Sequence, residues 1–287
     1  MRGLFFSKIL NQRVQSYREI VAWKERAIPF LKENEAWNNL FWQIIQKREK
    51  SAIKGWLGNV FCQGSISLAA MHTPSNYLLL SQGNLNAIEA LAKYADHQNW
   101  KMDGLSGPEN LVNHYLQCRG KGRKNERTSS TRIFKLFKTR IKASEQTLEN
   151  YKLDVVKNID WPKARIWAQQ FALESDPPLN LSAISQMAKQ MYAERNLFML
   201  TDLQNHPCAM AGFGRSTDLY RVINMVYVPK DCRRLGIGKE LITQMTLHAQ
   251  KKGYDQCLLF SEWTGNKNLY HNMGCKYLGK FMEYDLS

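Results

Sequence analysis

The sequence is short of acid. Against 40 Lys and Arg it sets only 25 Asp and Glu in 287 residues, leaving a formal net charge of +15. Its six cysteines include no C-x-x-C pair, and several sit inside apolar runs such as Cys257-Leu-Leu-Phe260. That spacing argues for free thiols in a reducing cytosol and against both a disulfide framework and a structural metal. No apolar run approaches the roughly 18 residues of a membrane span. The opening Met1–Leu10 breaks its hydrophobic stretch at Ser7-Lys8 and offers no signal-peptide core. A cytoplasmic protein is expected. What is present is enough for a real core: 44% hydrophobic residues exclude whole-chain disorder, and the length suits about two domains.

A basic chain invites a nucleic-acid or membrane partner, so the position of the excess charge matters. Residues 119–142 carry +9, whereas residues 1–118 carry +4 and residues 143–287 only +2. The flanking halves are nearly neutral, as ordinary enzymes are. Gly120, Gly122 and Ser129-Ser130 make the first part of the basic stretch read as a solvated connector. Its second part, Arg132–Lys142, sets Ile133, Phe134, Leu136, Phe137 and Ile141 among basic residues and fits either an amphipathic helix or a strand. If it only connects, deleting it leaves ligand binding by the flanking domains intact.

The hydrophobic period locates the elements. Ile20, Trp23, Ile28 and Leu31, then Trp37, Leu40, Phe41, Ile44 and Ile45, recur at helical steps. Trp56–Phe61, Ile66–Met71 and Tyr77–Leu80, parted by turn residues, predict a three-stranded meander, and a helix is expected from about Asn84 to His97. The second half repeats the plan. Helices over about 162–173 and 181–194 lead to strands at Leu197–Leu200, Ala209–Phe213 and Arg221–Val228, a glycine-bearing loop and a helix over 238–252. The shared order predicts two copies of one architecture.

Chemistry concentrates after the last of those strands. Arg233-Arg-Leu-Gly-Ile-Gly238 runs directly into a helix, and two glycines one residue apart let backbone N–H groups approach an anion. The helix adds unpaired amides and the positive end of its dipole, a fit for phosphate or pyrophosphate. A Walker loop would need glycine at 233 and Ser or Thr at 240, where Arg233 and Glu240 stand. A dinucleotide fingerprint would need glycine or alanine where Leu241 stands. Neither nucleotide loop is present, and a plain glycine-assisted turn remains the alternative. Beyond the helix, Gln256–Ser261 reads as a buried strand, followed by Glu262, Trp263 and a short helix in Asn266-Lys-Asn-Leu-Tyr-His-Asn-Met-Gly274.

From about residue 150 onward the sequence resembles the GNAT superfamily of acetyl-CoA-dependent N-acetyltransferases. The likeness rests on the strand, R-x-x-G-x-G, helix and second strand, then on Leu269-Tyr270-His-Asn-Met-Gly274, with Cys275 where the motif has an aromatic. More loosely, the first half resembles the degenerate copy of tandem GNAT proteins from bacteria, since after Leu80 it offers only Ser81-Gln-Gly-Asn84. The resemblance implies an α/β (α+β) fold of two GNAT-like domains, each a mixed, mostly antiparallel twisted sheet flanked by helices. They are divided as 1–118, a basic connecting segment 119–142, and 143–287. It implies acetyl-CoA as cosubstrate, no metal, and one catalytic site.

By the same resemblance, Arg233, Arg234, Leu235, Gly236, Ile237, Gly238 and Lys239 hold the coenzyme pyrophosphate, and backbone groups of Val226, Tyr227 and Val228 pair with the pantetheine arm. Tyr270 donates a proton to the departing sulfur, and the Val228 N–H serves the acyl oxygen. Glu262 is the leading candidate for the base, with Asp231 and His248 as others; a packed tyrosine and a solvated carboxylate are the structural alternatives. The motif departs from the family at Trp263 and Asn266, where an asparagine and a small residue are usual, so Asn266 or Asn268 takes the polar coenzyme contact. The acceptor is a primary amine on a small molecule, peptide or protein lysine, used by a monomer or dimer. The competing expectation is a GNAT-like body that presents 119–142 to RNA, a ribosome or an anionic membrane.

Overall fold

The computed structural model describes residues 5–7, 12–50, 55–73, 75–120, 128–137, 150–261 and 269–286. The elements of the first part are β1 (Phe5–Ser7), β2 (Gln12–Tyr17), α1 (Ile20–Glu33), α2 (Asn39–Lys50), β3 (Leu57–Cys62), β4 (Ser65–His72), β5 (Tyr77–Leu80), α3 (Leu85–His97), β6 (Gly104–Pro108) and α4 (Glu109–Cys118). Those of the second are β7 (Thr128–Phe137), β8 (Tyr151–Val155), α5 (Trp161–Glu174), α6 (Leu181–Ala193), β9 (Leu197–Asp202), β10 (Pro207–Ser216), β11 (Tyr220–Tyr227), α7 (Ile237–Lys251), β12 (Gln256–Ser261), α8 (Leu269–Asn272) and β13 (Lys276–Asp285). They form two compact units, one from Met1–Thr131 with Gly279–Ser287, the other from Arg132–Leu278.

In the first unit β1 to β5 pair antiparallel in sequence order. The α3 crossover then returns the chain so that β6 runs parallel to β5. The other side of β6 pairs antiparallel with Phe281–Asp285. Alternation along the strands feeds two cores. Leu68, Ala70, Leu78 and Leu80 pack with residues of α3 and α4, whereas Ala69, Met71 and Leu79 pack with those of α1 and α2. Trp23 anchors the second of these. It is fully buried, lies against Phe41 at a ring separation of 6.1 Å, and donates its indole N–H to the Gly58 carbonyl at 3.2 Å. Trp23→Ala is expected to cost about 3–5 kcal/mol. Urea denaturation measures this; a loss below about 1 kcal/mol would show the site collapsing around the missing ring.

The second unit repeats the order of pairings. Strands β8 to β11 pair antiparallel in sequence order, β11 runs parallel to β12, and the other side of β12 pairs antiparallel with Arg132–Phe137. Leu197, Met199 and Met210 face α5 and α6, while Phe198, Leu200, Ala209 and Ala211 face α7. Two copies of one architecture are therefore present, as the element order predicted.

The unit boundaries differ from the expected 1–118, 119–142 and 143–287. Within the basic stretch Thr128–Phe137 is a strand, settling the choice left open for its second part as far as Phe137. Ile133, Phe134 and Leu136 are all buried, so the segment contributes to a core. Its charge adapts to that position, with the Lys135 ammonium over the rings of Phe137 and Tyr220 at 4.7 and 5.6 Å. At the other end of the chain, Met282 and Tyr284 are buried in the first unit's core. Residues 121–127 and 138–149 of the expected connector lie outside the described residues. Among the described residues no helix is long and apolar enough to cross a membrane.

Candidate functional site

The site grows from an irregularity in β11. Met210 faces Tyr227, but the next matched pair is Gly212 with Asn224, so Met225 and Val226 together oppose Ala211. This bulge puts Met225 at φ 52°, a left-handed backbone rare for a non-glycine residue, and its N–H takes the Asn224 Oδ1 at 2.8 Å. Pairing with β12 also stops here. It covers Tyr220–Ile223 against Gln256–Leu259 and goes no further, while β12 continues along β7 as far as Ser261. The stretch Asn224–Val228 thus carries a strand edge that β12 does not fill.

From Val228 the chain turns through Pro229 and a 3-10 turn at Lys230–Cys232. Arg233 clasps the loop to the strand: its Nε donates to the Val228 carbonyl at 2.8 Å, and its Nη2 pairs with Glu174 of α5. Tyr227 donates its hydroxyl to Gln170 and Glu174 at 2.9 and 3.1 Å. Burial alone would raise the Glu174 carboxyl, but the hydrogen bonds from Arg233 and Tyr227 hold it below the ordinary carboxylate value. This clasp fixes where α7 begins.

Two left-handed residues, Arg234 at φ 63° and Gly236 at φ 79°, complete the turn into α7. Gly236 is the N-cap residue and has no side chain to cap with, and a Cβ there would meet nothing within 4 Å. The Lys239 and Glu240 amides both bond to the Gly236 carbonyl, which leaves those of Ile237 and Gly238 ahead of the first helical acceptor. Arg233 to Gly236 are exposed. The result is an open helix N-terminus suited to an anion.

Gly238 joins this terminus to the remaining parts. A Cβ on it would lie 3.2 Å from Leu269 Cδ2 and 3.6 Å from Val228 Cγ2, so α8 and the end of β11 meet across it. In α8, Gly274 ends the turn at φ 75° and the Cys275 N–H bonds back to the Tyr270 carbonyl at 3.0 Å. Tyr270 is half-buried and packs edge-on against Phe134 of β7 at 5.5 Å. Burial, and to a lesser degree Cys275, pushes its phenol up.

Of the predicted residues, Val226, Tyr227, Val228 and the run from Arg233 to Lys239 come together, with Tyr270 beside them. Asp231 is exposed in the 3-10 turn. His248 lies elsewhere: it is ten residues along α7 from Gly238, about 15 Å by helical rise, and packs on Phe198 and Phe213 at 4.7 and 5.9 Å. Glu262, Trp263, Asn266 and Asn268 lie outside the described residues. The Met225 bulge, the Glu174 clasp and the Phe134 support of Tyr270 were not foreseen. Only Phe134 left a sequence signal, as one of the apolar residues in the basic stretch.

The corresponding loop of the first unit is closed. The Gln82 N–H bonds to Asn38 Oδ1 at 2.9 Å, the Asn84 N–H to the Ser67 carbonyl at 3.0 Å, and Asn84 caps α3 through the Asn86 N–H at 2.8 Å. A Cβ on Gly83 would stand 2.5 Å from the Ser67 carbonyl oxygen. The Gln82 and Asn84 amides are thus spent on the fold.

Residues 191–275 match the acetyltransferase (GNAT) domain family. The second unit carries a GNAT acetyltransferase domain. This GNAT domain includes β9 to β12, the Arg233–Gly238 loop, α7 and α8. The fold of the chain is similar to that of a GCN5-related N-acetyltransferase from Sphaerobacter thermophilus, at 11% identity over 94% of each chain with a TM-score of 0.60. A GNAT-family acetyltransferase from Colwellia psychrerythraea gives 12% identity, 96% and 99% coverage and a TM-score of 0.54. A protein from Drosophila gives 8% identity, 96% and 98% coverage and a TM-score of 0.61. At these identities the likeness is one of fold, and it extends over residues of both units. No curated protein matches the chain.

Proposed function

We propose that the protein is an acetyl-CoA-dependent N-acetyltransferase that acetylates a primary amine, with its one site in the GNAT domain. The observation that carries this reading is the meeting, at Gly238, of the uncapped α7 terminus, the unfilled edge of β11 and the α8 turn bearing Tyr270. These residues fit the coenzyme. The amides from Arg234 to Lys239 suit a pyrophosphate, and the backbone of Val226, Tyr227 and Val228 suits the amides of a pantetheine arm in the manner of an added strand. Arg233 belongs to the same loop, but its guanidinium is committed to Val228 and Glu174, so it shapes the cradle. Asn266, in the segment before α8, supplies a polar contact to the coenzyme.

The bound coenzyme supplies an acetyl group activated as a thioester. The chain's own residues have three tasks. The acceptor must lose a proton to attack, and Glu262, the residue after β12, takes it directly or through water. The Val228 N–H, at the end of β11, faces the negative charge that builds on the acyl oxygen. Tyr270, whose phenol carries its proton at neutral pH as any tyrosine does, returns a proton to the leaving sulfur. Acceptors in reach of this chemistry are amines of small molecules, peptide N-termini and protein lysines.

Tyr270→Phe keeps the ring against Phe134 and removes only the hydroxyl. Turnover is expected to fall about 100-fold while the acetyl-CoA dissociation constant changes by less than about threefold. Steady-state kinetics with calorimetric titration separates the two, and unchanged turnover would remove Tyr270 from the mechanism. The reading of 119–142 as a free nucleic-acid or membrane arm draws less support, because Arg132–Phe137 are committed to pairing with β12. Absence of any thermal shift with acetyl-CoA, together with tight, salt-sensitive RNA binding, would reverse that preference.

A further inference from the structure

Two thiols meet beside the Arg233–Gly238 loop, and the acyl-transfer reading uses neither. A bulge at the start of β10 places the first of them. Pro207 faces Thr201 while Ala209 faces Leu200, the adjacent residue of β9, so Cys208 is the extra residue and turns with Ala209 toward the α7 side. Cys232 ends the 3-10 turn that follows β11, and it packs against the same core. Because β10 and β11 run antiparallel with Met210 opposite Tyr227, the beginning of one strand lies alongside the exit of the other. The side chains meet there. The Cys232 thiol is within hydrogen-bond reach of Cys208, and both sulfurs act on the same Tyr151 phenol. Both are free thiols.

Their surroundings give them different parts. Cys208 is 7% exposed and donates to the His206 carbonyl at 3.2 Å. Burial first, then Cys232 and Asp202, pushes its thiol up, which makes it a poor first nucleophile. Cys232 is half-buried and reaches solvent. A low-molecular-weight disulfide, RSSR, therefore meets Cys232 first. The Cys232 thiolate attacks one of its sulfurs, forming a mixed disulfide and expelling one thiolate; deprotonated Cys208 then attacks the Cys232 sulfur and expels the second. Two protein thiols are oxidised and RSSR is reduced to two RSH, which carry away the two thiol protons. Excess thiol runs the same steps backwards. A closed bond holds the sulfurs about 2.05 Å apart. Pairing with β9 and β11 fixes β10, so the turn bearing Cys232 is the part that moves. Arg233 follows that turn directly, and the displacement reaches the start of α7.

We propose that Cys208 and Cys232 close reversibly into a disulfide that loosens the hold of the α7 terminus on acetyl-CoA; the coenzyme part rests on the function proposed above. Treatment of the full chain with oxidised glutathione tests it. Peptide mapping is expected to recover a bond between residues 208 and 232 that dithiothreitol removes. Calorimetric titration is expected to show acetyl-CoA bound at least about tenfold more weakly by the oxidised protein, with the original affinity restored by the reductant. Cys232→Ser is expected to bind acetyl-CoA like the untreated protein, before and after oxidation. Exposed Cys118 is modified in both proteins, so the variant controls for it. In Cys208→Ala the glutathione is expected to stay on Cys232; should that buried position not tolerate the change, Cys232→Ser carries the test. Absence of the 208–232 bond, or unchanged affinity once it has formed, would overturn the assignment. Reduced protein that binds no acetyl-CoA would instead overturn the coenzyme reading, and the mapped bond would still establish the pair as a site of modification.

Discussion

Gly238→Val is expected to abolish the thermal stabilisation that acetyl-CoA confers, while the ligand-free protein still unfolds cooperatively. A ligand at 100 times its dissociation constant adds about 2.7 kcal/mol, and that increment is what the variant loses. A Cβ at position 238 already meets Leu269 at 3.2 Å and Val228 at 3.6 Å, and the valine methyl groups extend into the space where the β11 edge, the α7 amides and α8 converge. Valine itself is tolerated in the first turn of a helix, so the fold absorbs the change better than the site does. Gly236→Ala provides the contrast. Its Cβ meets nothing within 4 Å, and its cost is the left-handed backbone, about 1–2 kcal/mol. It is expected to lower the melting temperature and to weaken the coenzyme less than Gly238→Val. Differential scanning fluorimetry with and without acetyl-CoA reads both; a wild-type shift in Gly238→Val would remove the α7 terminus from the coenzyme site.

Expressed alone, residues 143–287 are expected to yield no cooperatively folded protein, although they span the whole matched family region. The fragment lacks β7, whose Ile133, Phe134 and Leu136 are no more than 3% exposed. Burial of three such side chains contributes about 5–9 kcal/mol, comparable with the roughly 5–15 kcal/mol that holds a typical domain together. The fragment also carries Met282 and Tyr284 away from the core in which they pack. Residues 128–278, which keep β7 and drop Gly279–Ser287, are expected to fold and to retain the acetyl-CoA shift. Circular dichroism melts of the two fragments decide the matter, and a sharp transition in 143–287 would contradict the role given to β7. Deletion of 119–142 from the full chain is accordingly expected to disrupt coenzyme binding, whereas removal of a mere connector would leave it intact.

The parts of the site that were legible in the sequence are local ones. Arg233-x-x-Gly-x-Gly238, its helix and the Leu269–Gly274 turn each depend on residues a few positions apart, and glycines mark the left-handed steps at 236 and 274. Positive φ at Met225 and Arg234 has no such marker; at Met225 the pairing with β10 imposes it on a residue that does not prefer it. Gly104-Leu-Ser-Gly-Pro108 escaped notice as a strand since it has neither β-branched residues nor alternation, and only the flanking strands β5 and β13 make it one. The partner of β12 was equally hidden. Periodicity shows that Ile133–Leu136 has an apolar side, but not which distant strand that segment will join.

Because Gly279–Ser287 belongs with the first unit, the order in which the chain is made is not the order in which it can be finished. At about 5–20 residues per second, synthesis from Thr131 to Gly279 takes roughly 7–30 s, during which the outer side of β6 has yet to meet Phe281–Asp285. The first half emerges early and closes late, and a nascent chain carries an exposed strand edge for that interval. A premature stop near the C-terminus would therefore injure the N-terminal unit, while leaving the acetyltransferase-like portion with its own strands.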